Sequence, residues 1–200
     1  ITANLAFFNP FKQDEYNTFS SGENGFELML EYGEDYQVDV SAIGFQTKSV
    51  IISGYDDEVY EVFLEEMKSG DKLVLEHIHF YPNTYALREE SQGELARLLA
   101  YMRENEDIRI EIQGHTNGSR DIKKTNNQLR HGSAWNFQGT AKELSLQRAK
   151  MIADHLIDNG VAKDRLETSG KGGLDMLVPY PKNMSDVMKN IRVEIHILDR

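Results

Sequence analysis

The feature that most constrains the fold of this chain is a change of hydrophobic period at Ser69-Gly70. Before that point apolar residues alternate with polar ones, the spacing of half-buried strands. Phe26, Leu28 and Leu30 show it first, then Tyr36, Val38, Val40 and Ala42. A run Val50-Ile51-Ile52 follows, with Val59, Phe63 and Leu64 amid acids. Turn residues separate the runs at Ser21-Gly22, Asn24-Gly25, Gly33, Gly44 and Ser53-Gly54. Short strands at this spacing predict a small all-β sandwich over residues 1–70.

Beyond Gly70, strand and helix periods take turns. Leu73-Val74-Leu75 through Ile78-His79-Phe80 reads as one strand. Ser91-Gln92-Gly93-Glu94 reads as a capping box ahead of Leu95, Leu98, Leu99 and Met102 at helical spacing. A strand at 108–112 is followed by a helix with Ala149, Ile152, Ala153, Leu156 and Ile157 inward, stopping at Asn159-Gly160. Leu166 to Gly170 reads as a short strand, and Ile191, Val193, Ile195 and Ile197 alternate as the last one. The order β-α-β-α-β-β predicts an α+β domain over 71–200, with two helices on a mixed sheet.

Composition narrows the function. The formal net charge of −11 argues against nucleic acid and anionic membrane surfaces as partners. With no cysteine, disulfides and thiolate metal sites are excluded. No apolar run approaches the roughly 20 residues a membrane helix needs, so no direct membrane span is expected. The chain opens at Ile1 without a signal-like segment and reads as the mature part of a longer polypeptide.

Two short runs carry the chemistry. Gln113-Gly114-His115-Thr116-Asn117 ends a strand, and Leu144-Ser145-Leu146-Gln147-Arg148-Ala149 opens an amphipathic helix. Arg148 is expected in the first helical turn, where the helix dipole disfavours a cation by a few tenths of a kcal/mol. A cation there makes sense beside an anion that the helix N-terminus also attracts. The two runs thus predict a carboxylate site built from a strand end and a helix start.

The connection between Asn117 and Leu144 far exceeds the usual 4–6 residues or so. It carries Arg120, Lys123, Lys124 and Arg130 against Asp121 alone, followed by Trp135 and Phe137. Two readings stay open: a basic, aromatic-tipped lid that attracts anions or stacks on a sugar, or aromatic anchors that pin the loop.

Other clusters carry less. His77 and His79 share a strand face, but no third metal ligand accompanies them. Ser169-Gly170-Lys171-Gly172-Gly173 lacks the spacing of a phosphate loop. Asp56-Asp57-Glu58 and Glu65-Glu66 read as solvated faces. No nucleophile motif is present. The expectation is a non-catalytic protein with no cofactor and no metal.

The motifs together resemble the OmpA-like C-terminal domain, the peptidoglycan-binding module also found in peptidoglycan-associated lipoprotein and flagellar stator subunits. The resemblance runs from about Leu73 to Leu198. It rests on Ile78-x-Phe80, Ile112-Gln113-Gly114-His115-Thr116, Leu144-Ser145-x-x-Arg148-Ala149, Leu156-x-x-x-Gly160-Val161, Arg165-Leu166, Gly170-x-Gly172 and Asn190-x-Arg192-Val193-Glu194. It implies that an Asp after Gly-His-Thr and the Arg of Leu-Ser-x-x-Arg-Ala grip the diaminopimelate of a stem peptide. The matching positions are Asn117 and Arg148, with Thr116, Leu144, Ser145, Phe80 and Arg192 completing the implied peptidoglycan site.

This chain departs from the pattern at three positions. Asn117 is uncharged, and a neutral hydrogen bond contributes about 1 kcal/mol against about 1.5–3 for a charged one. Diaminopimelate binding about tenfold weaker than in a standard member follows. The family's Asn-Arg-Arg-Val reads Asn190-Ile191-Arg192-Val193, and Val187 stands where an earlier Arg would fall.

In residues 1–70, Asn24-Gly25-Phe26, Gly33-Glu34-Asp35-Tyr36 and Gly44-Phe45 resemble a carboxypeptidase-regulatory-like domain. The pair in this order resembles envelope proteins of type IX secretion bacteria. The implied place is the periplasm, at the outer membrane or cell wall. The implied partners are diaminopimelate-containing peptidoglycan and other envelope proteins. The rival is an envelope scaffold for protein interactions whose OmpA-like domain has weakened or lost peptidoglycan binding.

Overall fold

Alternation in the first third produces strands. The computed structural model describes residues 3–8, 16–20, 33–55, 59–123 and 132–199. The chain divides into two compact units, Ile1–Met67 and Lys68–Arg200. In the first, β1 (Asn4–Phe8), β2 (Tyr16–Ser20), β3 (Asp35–Ser41) and β4 (Lys48–Ser53) form an antiparallel sheet in the order β2-β1-β3-β4. Val38 and Val40 of β3 centre its core, against Leu5, Val50, Ile52, Val62 and Leu64. Among the described residues this unit holds one sheet. Ser21-Gly22, Asn24-Gly25-Phe26, Leu28, Leu30 and the acids 56–58 lie outside the described residues.

The second unit has a mixed α+β fold. Its elements are β5 (Lys72–Val74), α1 (Gln92–Glu104), β6 (Arg109–His115), α2 (Ala141–Asp158), β7 (Leu166–Gly172), α3 (Met184–Asn190) and β8 (Val193–Asp199). The sheet runs β5-β8-β6-β7, with β6 and β7 parallel and the other pairs antiparallel. Ile110 and Ile112 lie opposite Ile197 and Ile195, a cross-strand core of β-branched residues. Helix α2 packs across β6 and β7. Its spacing buries Leu144, Ala149, Ile152 and Leu156 on one face. At its end, the Gly160 and Val161 N–H groups bond back to the Ile157 and Leu156 carbonyls.

Two glycines set how closely α2 approaches the sheet. A Cβ at Gly114 would overlap the Ser145 carbonyl, and one at Gly170 would lie 2.6 Å from the Leu146 nitrogen. Only a bare backbone fits there.

Three expectations need correction. The strand expected over 73–80 stops at Val74 and turns at Glu76-His77. The His79 N–H donates to the Ser91 hydroxyl, which donates in turn to the His79 carbonyl, so this stretch pairs with a side chain instead of a strand. His77 and His79 therefore share no strand face. The same bonds remove the capping box at Ser91: its hydroxyl caps nothing on α1, and Glu94 is buried in an ion pair with Arg97. The third is the added helix α3, whose 7 residues are too short to show an apolar stripe. Asn183 caps it by accepting from the Asp186 N–H.

Candidate functional site

Arg148 lies deeper in its helix than its motif predicts. The α2 start is fixed upstream by Thr140, whose hydroxyl oxygen accepts from the Glu143 N–H at 3.1 Å. The Glu143 carboxylate accepts from the Thr140 N–H at 2.7 Å, completing a capping box. Arg148 thus falls about two turns inside, beyond the first-turn reach of the dipole and of the free N–H groups. The expectation of a first-turn arginine is corrected. Any anion attraction rests on the guanidinium itself.

Arg148 as a whole is 4 % exposed. Its Nε donates to the Thr84 carbonyl at 2.9 Å, and its carbon stands 4.8 Å from the centre of the Phe80 ring. Among the described residues no carboxylate pairs with it. Burial lowers its pKa to about 10, so it remains charged at neutral pH. Among the described residues its company is one carbonyl and one ring face, which leaves a desolvated cation able to pair with an oxyanion.

Phe80 and Thr84 come from the segment after β5, which closes on itself through a bridge between Phe80 and Leu87. Trp135 and Phe137 pack on this same segment. Trp135 lies 4.5 Å from the Tyr81 ring and Phe137 meets Tyr85 edge-on at 6.1 Å. A bridge between Ile122 and Gly139 joins the two ends of the long connection. Of its cations, Arg120 and Lys123 are exposed, whereas Lys124 and Arg130 lie outside the described residues.

Asn117 is half-buried just past β6, where its Oδ1 accepts from the Asn190 side chain at 2.8 Å. Thr116 closes the turn, its hydroxyl donating to the Gly118 carbonyl and its N–H to the Gly172 carbonyl. Ser145 is fully buried and accepts from the Gly172 N–H at 2.9 Å, fastening α2 to β7, and Leu144 is core.

Arg192 is engaged inside the protein. Its guanidinium pairs with buried Glu194 at 2.6 Å and donates to the Asp175 carbonyl. Glu194 also bonds His196 at 3.0 Å and lies 3.8 Å from His115. His115 is 2 % exposed, and burial, reinforced by the charge of Arg192, lowers its pKa to about 4. The structure therefore joins Arg148 to Phe80, and ties Asn117 to α3. Thr116, Ser145, Leu144 and Arg192 brace those elements. Sequence reasoning missed Thr84, which no motif marks, and Asn190, which stands in the quoted Asn-x-Arg-Val run.

Among the described residues no group of His, Asp or Glu is arranged to hold a metal ion. No helix there is long and apolar enough to cross a membrane.

Solved structures similar to this chain include the periplasmic domain of Helicobacter pylori MotB, at 22 % identity over 68 % of this chain and 87 % of that one, with a TM-score of 0.48. The cell wall anchor of the type VI secretion system from Pseudomonas aeruginosa is 19 % identical over 64 % of this chain and 80 % of its own, with a TM-score of 0.47. An outer membrane protein from Borrelia burgdorferi is 25 % identical over 64 % and 87 %, with a TM-score of 0.40. A comparison with curated proteins finds no match. The model of the OmpA family matches residues 79–187, more than half of the chain and the span that holds both Arg148 and Asn117. On that match the chain belongs to the OmpA family.

Proposed function

We propose that this chain is a non-catalytic envelope protein whose second unit binds the diaminopimelate-containing stem peptide of peptidoglycan and anchors an outer-membrane-associated assembly to the cell wall in the periplasm. The observation that carries the proposal is Arg148, a buried guanidinium with no carboxylate partner among the described residues. A peptide carboxylate bound there replaces lost water with paired, charge-assisted hydrogen bonds. Asn117 contacts the same ligand, and Phe80 forms a wall of the site. Thr116, Leu144, Ser145 and Arg192 hold these groups in place. On this reading the first unit is a carboxypeptidase-regulatory-like domain, and the assembly is of the type IX secretion kind. Cosedimentation with purified sacculi tests the anchor. The wild type should pellet with sacculi and Arg148→Ala should stay in the supernatant; wild type left in the supernatant rejects the proposal.

One observation favours a second reading, an envelope scaffold that docks other proteins. Between β7 and β8 the second unit exposes Leu174 (76 %), Leu177, Tyr180 (87 %), Met184 and Met188. Large apolar side chains left exposed this often in one stretch of chain suit an interaction site. Failure of the wild type to pellet, with a partner captured through these residues, would support it.

A further inference from the structure

Asn190 fixes the orientation of Asn117. Its side chain is fully buried, and one residue's backbone fixes both ends of its amide. Oδ1 accepts from the Val178 N–H at 2.9 Å, while Nδ2 donates to the Val178 carbonyl at 2.8 Å. An N–H only donates and a carbonyl only accepts, so this amide has one orientation. Its other N–H donates to Asn117 Oδ1 at 2.8 Å. That bond orients Asn117 in turn. Its oxygen faces Asn190, and its NH2, which bonds no group among the described residues, is the one left for a ligand. An aspartate at 117 would take the same N–H on one oxygen and offer its second, anionic oxygen outward. Asparagine puts a donor where that acceptor would stand.

Arg148 supplies donors only, and its Nε already serves the Thr84 carbonyl. Both ligand-facing groups of the site are therefore donors. We propose that Asn190 is a specificity-determining residue: by holding Asn117 with its NH2 outward, it makes the site a receptor for a carboxylate without recognition of an adjacent ammonium. The inference rests on the reading that Arg148 and Asn117 face one ligand. A zwitterionic amino acid then gains nothing over a plain diacid of the same chain length.

The test is an NMR titration of the isotope-labelled chain with two probes, meso-diaminopimelate and pimelate, which share a seven-carbon dicarboxylate skeleton and differ in the amino groups. The wild type should bind both with Kd values within about threefold, and the Asn117 side-chain NH2 signals should move with either probe. Asn117→Asp keeps the bond from Asn190 and should favour diaminopimelate by about tenfold or more, the difference between a neutral and a charged pair. Asn190→Ala frees Asn117 to turn, so a preference of a few-fold for diaminopimelate should appear. Should that variant not fold, Asn117→Asp decides the matter. A tenfold preference for diaminopimelate in the wild type, or no change in Asn117→Asp, overturns the inference and leaves the ligand site standing. Absence of binding by either probe removes the ligand site itself.

Discussion

At the scale of single residues, burying Arg148 weighs against folding. Taking a guanidinium out of water costs several kcal/mol, and one carbonyl with one ring face offsets only part of it. Arg148→Met keeps most of the side-chain volume and removes the charge. It should unfold at the same urea concentration as wild type or higher, while losing sacculus binding. A loss of more than about 2 kcal/mol would show that the arginine is a structural element instead. The place of Arg148 on the buried face of α2 was legible in Leu144-Ser145-x-x-Arg148-Ala149, because motif spacing survives any shift of helix boundary. Its depth in the helix was not. That depth depends on Thr140-Ala141-Lys142-Glu143, a capping box four residues before the motif. The Thr84 carbonyl was invisible as well, since a backbone acceptor leaves no mark in side-chain pattern.

At the scale of elements, close backbone approach and end-capping hold the second unit together. Gly114→Ala places a methyl group on the Ser145 carbonyl, so α2 must lift from β6. A cost of about 3 kcal/mol in chemical denaturation is expected, at the upper end for overpacking. Thr140→Ala removes an exposed cap and should cost about 1 kcal/mol. Arg165 acts as a further clamp, donating to the Met102, Asn105 and Ile108 carbonyls between the end of α1 and the start of β6. The helices and central strands were readable because their apolar periods are long. Two failures, the strand over 73–80 and the capping box at Ser91, share one cause: a side chain bonded to distant backbone. Ser91 serves His79 rather than its own helix, and no local rule of capping could reveal that.

At the scale of the whole molecule, the buried cluster of His115, Arg192 and Glu194 couples folding to pH. Burial keeps folded His115 neutral down to about pH 4, whereas the unfolded residue titrates near its ordinary value of 6.5. Between those values the unfolded chain binds the extra proton. Stability is therefore fully present above about pH 6.5 and declines as pH falls towards 4, by roughly 3 kcal/mol in total. For Glu194, burial raises the pKa, but the bonds from His196 and Arg192 outweigh it and leave the pKa lowered; the stability this confers is lost at the acid end. Denaturation midpoints across this range should fall for wild type and flatten in His115→Gln. Equal slopes for the two would contradict the assignment.

Everything proposed for the second unit depends on Arg148 receiving a ligand carboxylate. The most direct measurement is calorimetric titration of a soluble muropeptide carrying diaminopimelate into wild type, Arg148→Lys and Arg148→Ala. Binding to the wild type should be saturable, binding to Arg148→Lys at least tenfold weaker because an ammonium cannot pair bidentately, and binding to Arg148→Ala undetectable. Equal affinity across the three proteins would contradict it.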